Sequence, residues 1–390
     1  MTRIAWAAYA LVVAWVGWAR VWPVQDWVTT SFGGYWVVAR AVLDHIPVID
    51  LYDSAVLHTR MQAEGIGLTD EMIGPPSLTL TLVPLAALPY EVARRVWLWG
   101  VCLPALAVGF AFAGRRAGPR VAPLVATVFL LSAPATENLL VGQVYPVFLL
   151  LHLLALRGVE RGESAIAGLS VAPMMAMRGW YGLPLVAGWA ASGRWRAAVA
   201  GVVGAGVLVL ASVPWVGIDA WMYFAMKHLE QMSANPWAGA TGYQTVRSLG
   251  LHLTTEGPWA GTSALSAPWL ARPLVAAISI AIGLFAWRLV RTCRYPAHNV
   301  AALTCVELLL SPFTQEYHFV LAAIPAGVVL GSPSLLARGL SVGALALLLP
   351  AWDFQAPALA DGWWAVAAYP RLLGSGLLFA GVWSASRGAC

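Results

Sequence analysis

A chain of 390 residues that is 60% hydrophobic and only 11% charged, with a mean hydropathy of +0.72, is far from the roughly 25% charge of soluble domains and does not fit that class. Its net charge of +5 rests on arginine, Lys227 being the one lysine, and the basic residues fall in short turns that set topology rather than in a patch for nucleic acid. Apolar runs recur from end to end and leave no stretch for a separate soluble domain, so residues 1–390 read as a single integral membrane domain.

The first apolar run, 4–21, follows one basic residue and has no small-residue cleavage site before Trp22-Pro23. It is expected to be a retained span with a cytoplasmic N-terminus. Further candidate helices are 77–88, 92–113, 121–131, 144–156, 166–177, 181–191, 197–213, 274–290, 301–310, 319–330, 339–349 and 363–383. A run of about 13 residues covers only about 20 Å of the roughly 30 Å hydrocarbon core, so the shorter ones must extend through polar residues or pair as hairpins. Arginines at 115–120, 157–161, 194–196, 291–294 and 387 mark cytoplasmic turns, which places loops 23–76 and 214–272 and the turns near 312–318 and 352–361 outside. Two cytoplasmic termini require an even number of crossings, with 77–88 as the expected re-entrant segment. The expected fold is therefore an all-α polytopic membrane protein of about twelve transmembrane helices. Its two large outward loops carry juxtamembrane helices at 35–43 and 221–232, expected along the membrane surface. The four cysteines have no zinc or disulfide-frame spacing. No phosphate-binding glycine loop is present to support nucleotide hydrolysis.

Four polar groups interrupt this apolar chain. Loop 23–76 carries seven acidic residues, and among them Asp26, Asp50 and Asp53 are candidate general bases toward a hydroxyl, set against the plain alternative of solvated loop carboxylates. In "ENLLVGQVYP", Asn138 and Gln143 suit either a sugar hydroxyl or a bond between helices. Arg178 stands alone in "MMAMRGWYGLP", where its planar fork matches a lipid phosphate and where a carboxylate such as Glu137 or Glu316 is the alternative partner. In "SPFTQEYHF", Pro312 breaks a helix and leaves Glu316 and His318 at the outward end of the next.

Taken together, "SFGGYWVVARAVL…LYD", "PPSLTLTLVPLAALP", "NLLVGQVYPVFLLL", "AGLSVAPMMAMRGWYGLPLV" and "LLSPFTQEYHFVL", in that order, resemble the GT-C membrane glycosyltransferases. The resemblance is specifically to glycosyltransferase family 87, which includes polyprenyl-phosphate-mannose-dependent mannosyltransferases. It implies an inverting transferase of the bacterial plasma membrane, active on the non-cytoplasmic face. The implied donor is a polyprenyl-phosphate sugar, mannose favoured, and the acceptor a lipid or glycan. Arg178 and His318 would hold the donor phosphate; Tyr35, Asn138, Gln143 and Glu316 would line the substrate site; membrane lipids are the other expected partners. No cofactor and no metal are assigned, a divalent cation being left open. The family's aspartate before the Phe-x-x-Tyr run is replaced by Ser31, so Asp26, Asp50 or Asp53 would have to serve as base. The same replacement supports an alternative, a catalytically silent scaffold or accessory subunit. A lipid or sugar-lipid transporter is a third reading, which inverted repeats would favour, and the sequence shows none in its visible pattern.

Overall fold

The computed structural model describes residues 2–28, 31–67, 74–257, 262–354 and 356–389, and these contain helices and no strands. In chain order the helices are α1 (Thr2–Val24), α2 (Ser31–Leu43), α3 (Ser54–Ala63), α4 (Pro76–Ala86), α5 (Tyr90–Arg115), α6 (Ala122–Leu130), α7 (Ala133–Val141), α8 (Tyr145–Arg161) and α9 (Ser164–Arg178). They continue with α10 (Leu183–Ala191), α11 (Trp195–Val216), α12 (218–233), α13 (Val246–Thr254), α14 (Pro268–Thr292), α15 (Pro296–Leu310), α16 (Glu316–Leu330), α17 (Leu335–Leu348) and α18 (Pro370–Ala389).

Among the described residues α1, α5, α11 and α14 are long and apolar enough to cross a bilayer. Two bent pairs, α6 with α7 at 50° and the turn Gly362–Ala368 with α18 at 65°, raise the number to six if each is one span. The count of about twelve is not reached on length and apolarity alone. Proline and glycine cut the other runs short: α4, α15, α16 and α17 have 10–17 residues, and even 15 residues rise only about 22 Å. The long helices keep apolar side chains outward, as Val199, Val203, Val207 and Leu210 of α11 and Ile280 and Leu284 of α14 show. That is the surface a lipid environment accommodates.

Inside the bundle small residues bring backbones together. α9 packs along α11, and a Cβ on Gly168 would lie 2.3 Å from the Ala197 carbonyl, so this crossing tolerates only glycine. Buried Arg94 ties three elements, donating to the carbonyls of Val24 at 3.0 Å and Leu140 at 2.9 Å.

The stretch 35–43 belongs to α2, which is buried on almost every face, only Arg40 and Leu43 being partly open. Ser31 and Arg40 apart, its side chains are apolar, tyrosine or glycine, and it packs into the core against α4. Helix α12, by contrast, exposes Ile218, Met222, Met226 and Leu229 along one side. Cys293, read as outside any disulfide, is disulfide-bonded; Cys102 and Cys305 are buried free thiols, and Cys390 lies outside the described residues.

Candidate functional site

Gly142 ends α7 with a φ of 70°, and a Cβ there would sit 2.8 Å from Cβ of Phe32. A glycine is required for both reasons, the left-handed backbone and the close approach. Its carbonyl accepts from the Trp97 indole at 2.9 Å, and Phe32 stacks on that indole at 5.8 Å. The clamp fixes α2 beside the α7–α8 turn. Tyr35, one turn along α2, then donates its hydroxyl to Gln143 Oε1 at 2.6 Å.

The same Tyr35 hydroxyl accepts from the Arg178 guanidinium, which also lies 5.6 Å from the phenol ring. Arg178 is the last residue of α9, and the turn after it is pinned from below. The N–H of Gly182 donates to Glu307 Oε1 at 2.7 Å, and Glu307 Oε2 meets His152 Nε2 at 2.6 Å, both side chains fully buried. Gly74 approaches from the other side, close enough that a Cβ on it would be 3.6 Å from an Arg178 nitrogen. Its carbonyl accepts from Tyr52 at 3.1 Å. Burial, reinforced by the neighbouring Tyr223, pushes the Tyr52 phenol above its ordinary range, so it stays a protonated donor.

His318 completes this group. Its ring is buried against Tyr145, Tyr317 and Tyr181, with centroids at 4.0, 4.6 and 5.5 Å, and lies within electrostatic reach of Arg178. Its Nδ1 lies 2.9 Å from the Gln315 nitrogen and 3.1 Å from the Gln315 carbonyl oxygen, accepting from the first in one neutral tautomer and donating to the second in the other. Tyr35, Gln143, Arg178 and His318, drawn from four separated stretches, thus form one cluster.

The remaining predicted residues fall elsewhere. Asn138 is buried and donates to the carbonyls of Tyr317 at 2.6 Å and Pro134 at 2.9 Å, fastening α7 to the start of α16. Glu316 faces away from the cluster and forms a bidentate pair with Arg371. That guanidinium, fully buried, also donates to the Leu347 and Pro350 carbonyls. Asp26 is 52% exposed and bonded to Arg95. Asp50 is exposed. Asp53 is exposed and caps α3 by accepting from the Ala55 N–H at 2.8 Å. Ser31 is buried at the start of α2.

Glu307, His152 and Arg371 escaped the sequence reading. Each is an ionisable residue inside an apolar run, the same signal that singled out Arg178. Among the described residues no three His, Cys, Asp or Glu side chains converge as a metal site requires.

A bundle of buried helices with an arginine, a histidine and tyrosines gathered at one end belongs to the polytopic membrane proteins that place polar chemistry inside a helical frame. Residues 73–312 match glycosyltransferase family 87, over more than half of the chain, and the chain belongs to that family. The helical, polytopic architecture is consistent with GT-C membership. No curated protein and no solved structure matches. Asn138, Gln143 and Arg178 lie within the matched stretch; Tyr35, Glu316, His318 and the first-loop aspartates lie outside it.

Proposed function

We propose that the chain transfers a sugar, mannose favoured, from a polyprenyl-phosphate donor to a lipid or glycan acceptor on the non-cytoplasmic face of a bacterial plasma membrane, with inversion at the anomeric carbon. The observation that carries this reading is the juxtaposition of Arg178 and His318, two nitrogen-donor side chains held by tyrosines at the end of a helical bundle. As the bond from the anomeric carbon to phosphate lengthens, negative charge grows on the phosphate oxygens. A fixed guanidinium fork and an imidazole N–H aimed at those oxygens stabilise the transition state more than the ground state. Tyr35 and Gln143 hold the fork in place, and the polyprenyl tail would lie along the exposed apolar helices. The topology proposed with it has about twelve crossings, short helices included, and both termini in the cytoplasm; accessibility of single introduced cysteines at 23–28 and 387 tests it.

Purified protein in lipid nanodiscs, given labelled lipid-linked mannose, arabinose or glucose with lipid and glycan acceptors, should transfer one of these sugars, and Arg178→Ala should lower transfer by about 100-fold or more. A second reading draws on Ser31 and on the surface roles of Asp26 and Asp53: a silent family member serving as a membrane scaffold. Use of no donor, together with a partner protein that co-purifies at fixed stoichiometry, would favour it.

A further inference from the structure

Two fully buried side chains, His152 of α8 and Glu307 of α15, carry ionisable groups that the proposed chemistry does not use. Burying two such groups costs more than burying apolar ones of the same volume, which asks for a reason beyond packing.

The hydrogen bonds fix what the pair carries. A carbonyl oxygen only accepts, so His152 Nδ1, 2.9 Å from the Phe148 carbonyl, holds a hydrogen. Two lone pairs do not face each other at 2.6 Å, so His152 Nε2 and Glu307 Oε2 share one proton. It sits either on an imidazolium facing a carboxylate or on a carboxyl facing a neutral ring, and the pair is neutral overall in both arrangements. In both, the other oxygen, Oε1, accepts from the Gly182 N–H at 2.7 Å. The pair therefore adds no net charge to the core, satisfies all four of its own polar atoms, and directs one acceptor at a backbone amide.

That amide belongs to the turn 179–182, which joins α9 to α10. Arg178 enters the turn as the last residue of α9. Tyr181, next to Gly182, lays its ring against His318 at 5.5 Å and Tyr145 at 5.3 Å. Gly179 and Gly182 bracket the turn with φ of 51° and 89°, and glycines at both ends leave it few restraints of its own. An anchor from outside the turn then decides where it sits. Glu307 supplies one from α15, and α10 is seated on that same helix, where a Cβ on Gly188 would lie 2.4 Å from Leu303 Cδ1. The backbone carbonyl of Glu307 accepts from the Ser311 N–H at 3.0 Å and ends α15 just before the chain breaks toward His318.

We infer that Glu307, held by His152, is a positioning residue for the transfer reaction: its Oε1 fixes the 179–182 turn and through it the place of the Arg178 guanidinium. The inference rests on the transferase reading above. Neither side of the pair touches substrate. Its contribution is geometric, and a displacement of about 1 Å in a group that acts on the transition state costs up to about 100-fold in rate. What the turn requires from position 307 is an acceptor oxygen, not a charge. Glutamine keeps that oxygen for Gly182 and presents an amide N–H to a neutral His152 Nε2, so it should replace glutamate. Leucine fills a similar volume and leaves both the Gly182 N–H and the imidazole without their partner.

The test measures kcat/KM for transfer in nanodiscs by Glu307→Gln, by Glu307→Leu, and by Arg178→Ala with and without Glu307→Leu, alongside hydrogen exchange of the segment 179–183 followed by mass spectrometry. Glu307→Gln should stay within about threefold of wild type. Glu307→Leu should lose about 10–100-fold, with exchange at Gly182 faster by about tenfold or more. Added to Arg178→Ala, the same leucine should cost less than about threefold further, because the group it positions is already gone. Fully additive losses, as a merely structural role would give, overturn the inference; so does a leucine variant with unchanged transfer or unchanged exchange, or a glutamine variant as impaired as the leucine one. If Glu307→Leu does not fold, the double variant His152→Leu/Glu307→Leu, which leaves no unpaired imidazole, carries the same predictions. If the wild type transfers no sugar, the transferase reading fails, and positioning is read instead as binding of undecaprenyl phosphate. Binding weakened in Arg178→Ala and Glu307→Leu but kept in Glu307→Gln supports it. Binding that is absent from the wild type, or indifferent to the leucine substitution, removes it.

Discussion

The acidic residues fall into two groups that the fold treats differently. Those of the first loop, Asp26, Asp44 and Asp53, lie at the surface and serve local structure: one pairs with Arg95, one sits between Arg40 and Arg60, one caps a helix. Those around the α7–α16 contact, Glu137 and Glu316, are half-buried on the wall of a cavity. Exposed carboxylates keep their hydration whether or not a partner is present, and losing one changes little. A half-buried carboxylate has given up much of its water and is sensitive to what replaces it. Position along the sequence groups the first-loop carboxylates, and enclosure by the fold separates them from Glu137 and Glu316.

The strongest way to break this contrast is at the Glu316–Arg371 pair. Glu316→Gln leaves a fully buried guanidinium without its carboxylate, and we expect a loss of about 3–5 kcal/mol of stability, measured by denaturant or thermal unfolding in detergent. Replacing both residues by leucine should recover most of that loss, because the apolar pair carries no uncompensated charge. A loss below about 1 kcal/mol in the single variant would put Glu316 with the surface group.

Next in size is Arg178→Ala. Removing a donor aimed at developing phosphate charge typically lowers the rate by about 10²–10³-fold, read here as turnover with lipid-linked sugar. Arg178→Lys should restore part of it, keeping the charge while losing the fork that reaches Tyr35. Equal activity in both variants would detach the cluster from the chemistry.

Much of this was legible in the sequence because it depends on composition over one contiguous run. Expected helices 92–113, 197–213 and 274–290 lie inside α5, α11 and α14, and the isolated Arg178 does meet a motif residue, Tyr35, 143 positions away. What escaped depends on partners that no local pattern encodes. His152 and Glu307 are 155 residues apart, and Glu316 finds Arg371 on the last helix. Glu307 in "CVELLL" and Arg371 in "YPRLL" each showed a lone charge beside apolar residues, which signals a partner without naming it. The burial of α2 was missed because its two glycines and apolar faces fit a surface helix and a core helix equally well by pattern; the choice was made by α4 and by the Gly142 clamp.

A smaller effect is expected at Asp53. Its carboxylate satisfies one of the orphan donors at the start of α3, and Asp53→Ala should cost about 1 kcal/mol, as N-cap losses do. Asp53→Asn keeps an acceptor oxygen and should cost less; a large drop in transfer in the asparagine variant, with stability intact, would give this residue a chemical role beyond the cap.

The smallest effect is expected at Asp26, and it is the most informative about the two groups. One carboxylate oxygen of Asp26 accepts from Arg95 Nε and lies 2.8 Å from Nη2, with both side chains 52% exposed. A pair so open to water contributes about 0.2–1 kcal/mol, and at about 1 M salt, where the screening length falls to about 3 Å, even that should fade. Asp26→Asn should therefore shift the unfolding midpoint slightly at low salt and not at high salt, with transfer within about threefold of wild type. If transfer instead falls by about 100-fold or more at both salt concentrations, the proton acceptor belongs to the first loop. The exposed pair with Arg95 would then describe a resting arrangement that the loop leaves when acceptor binds.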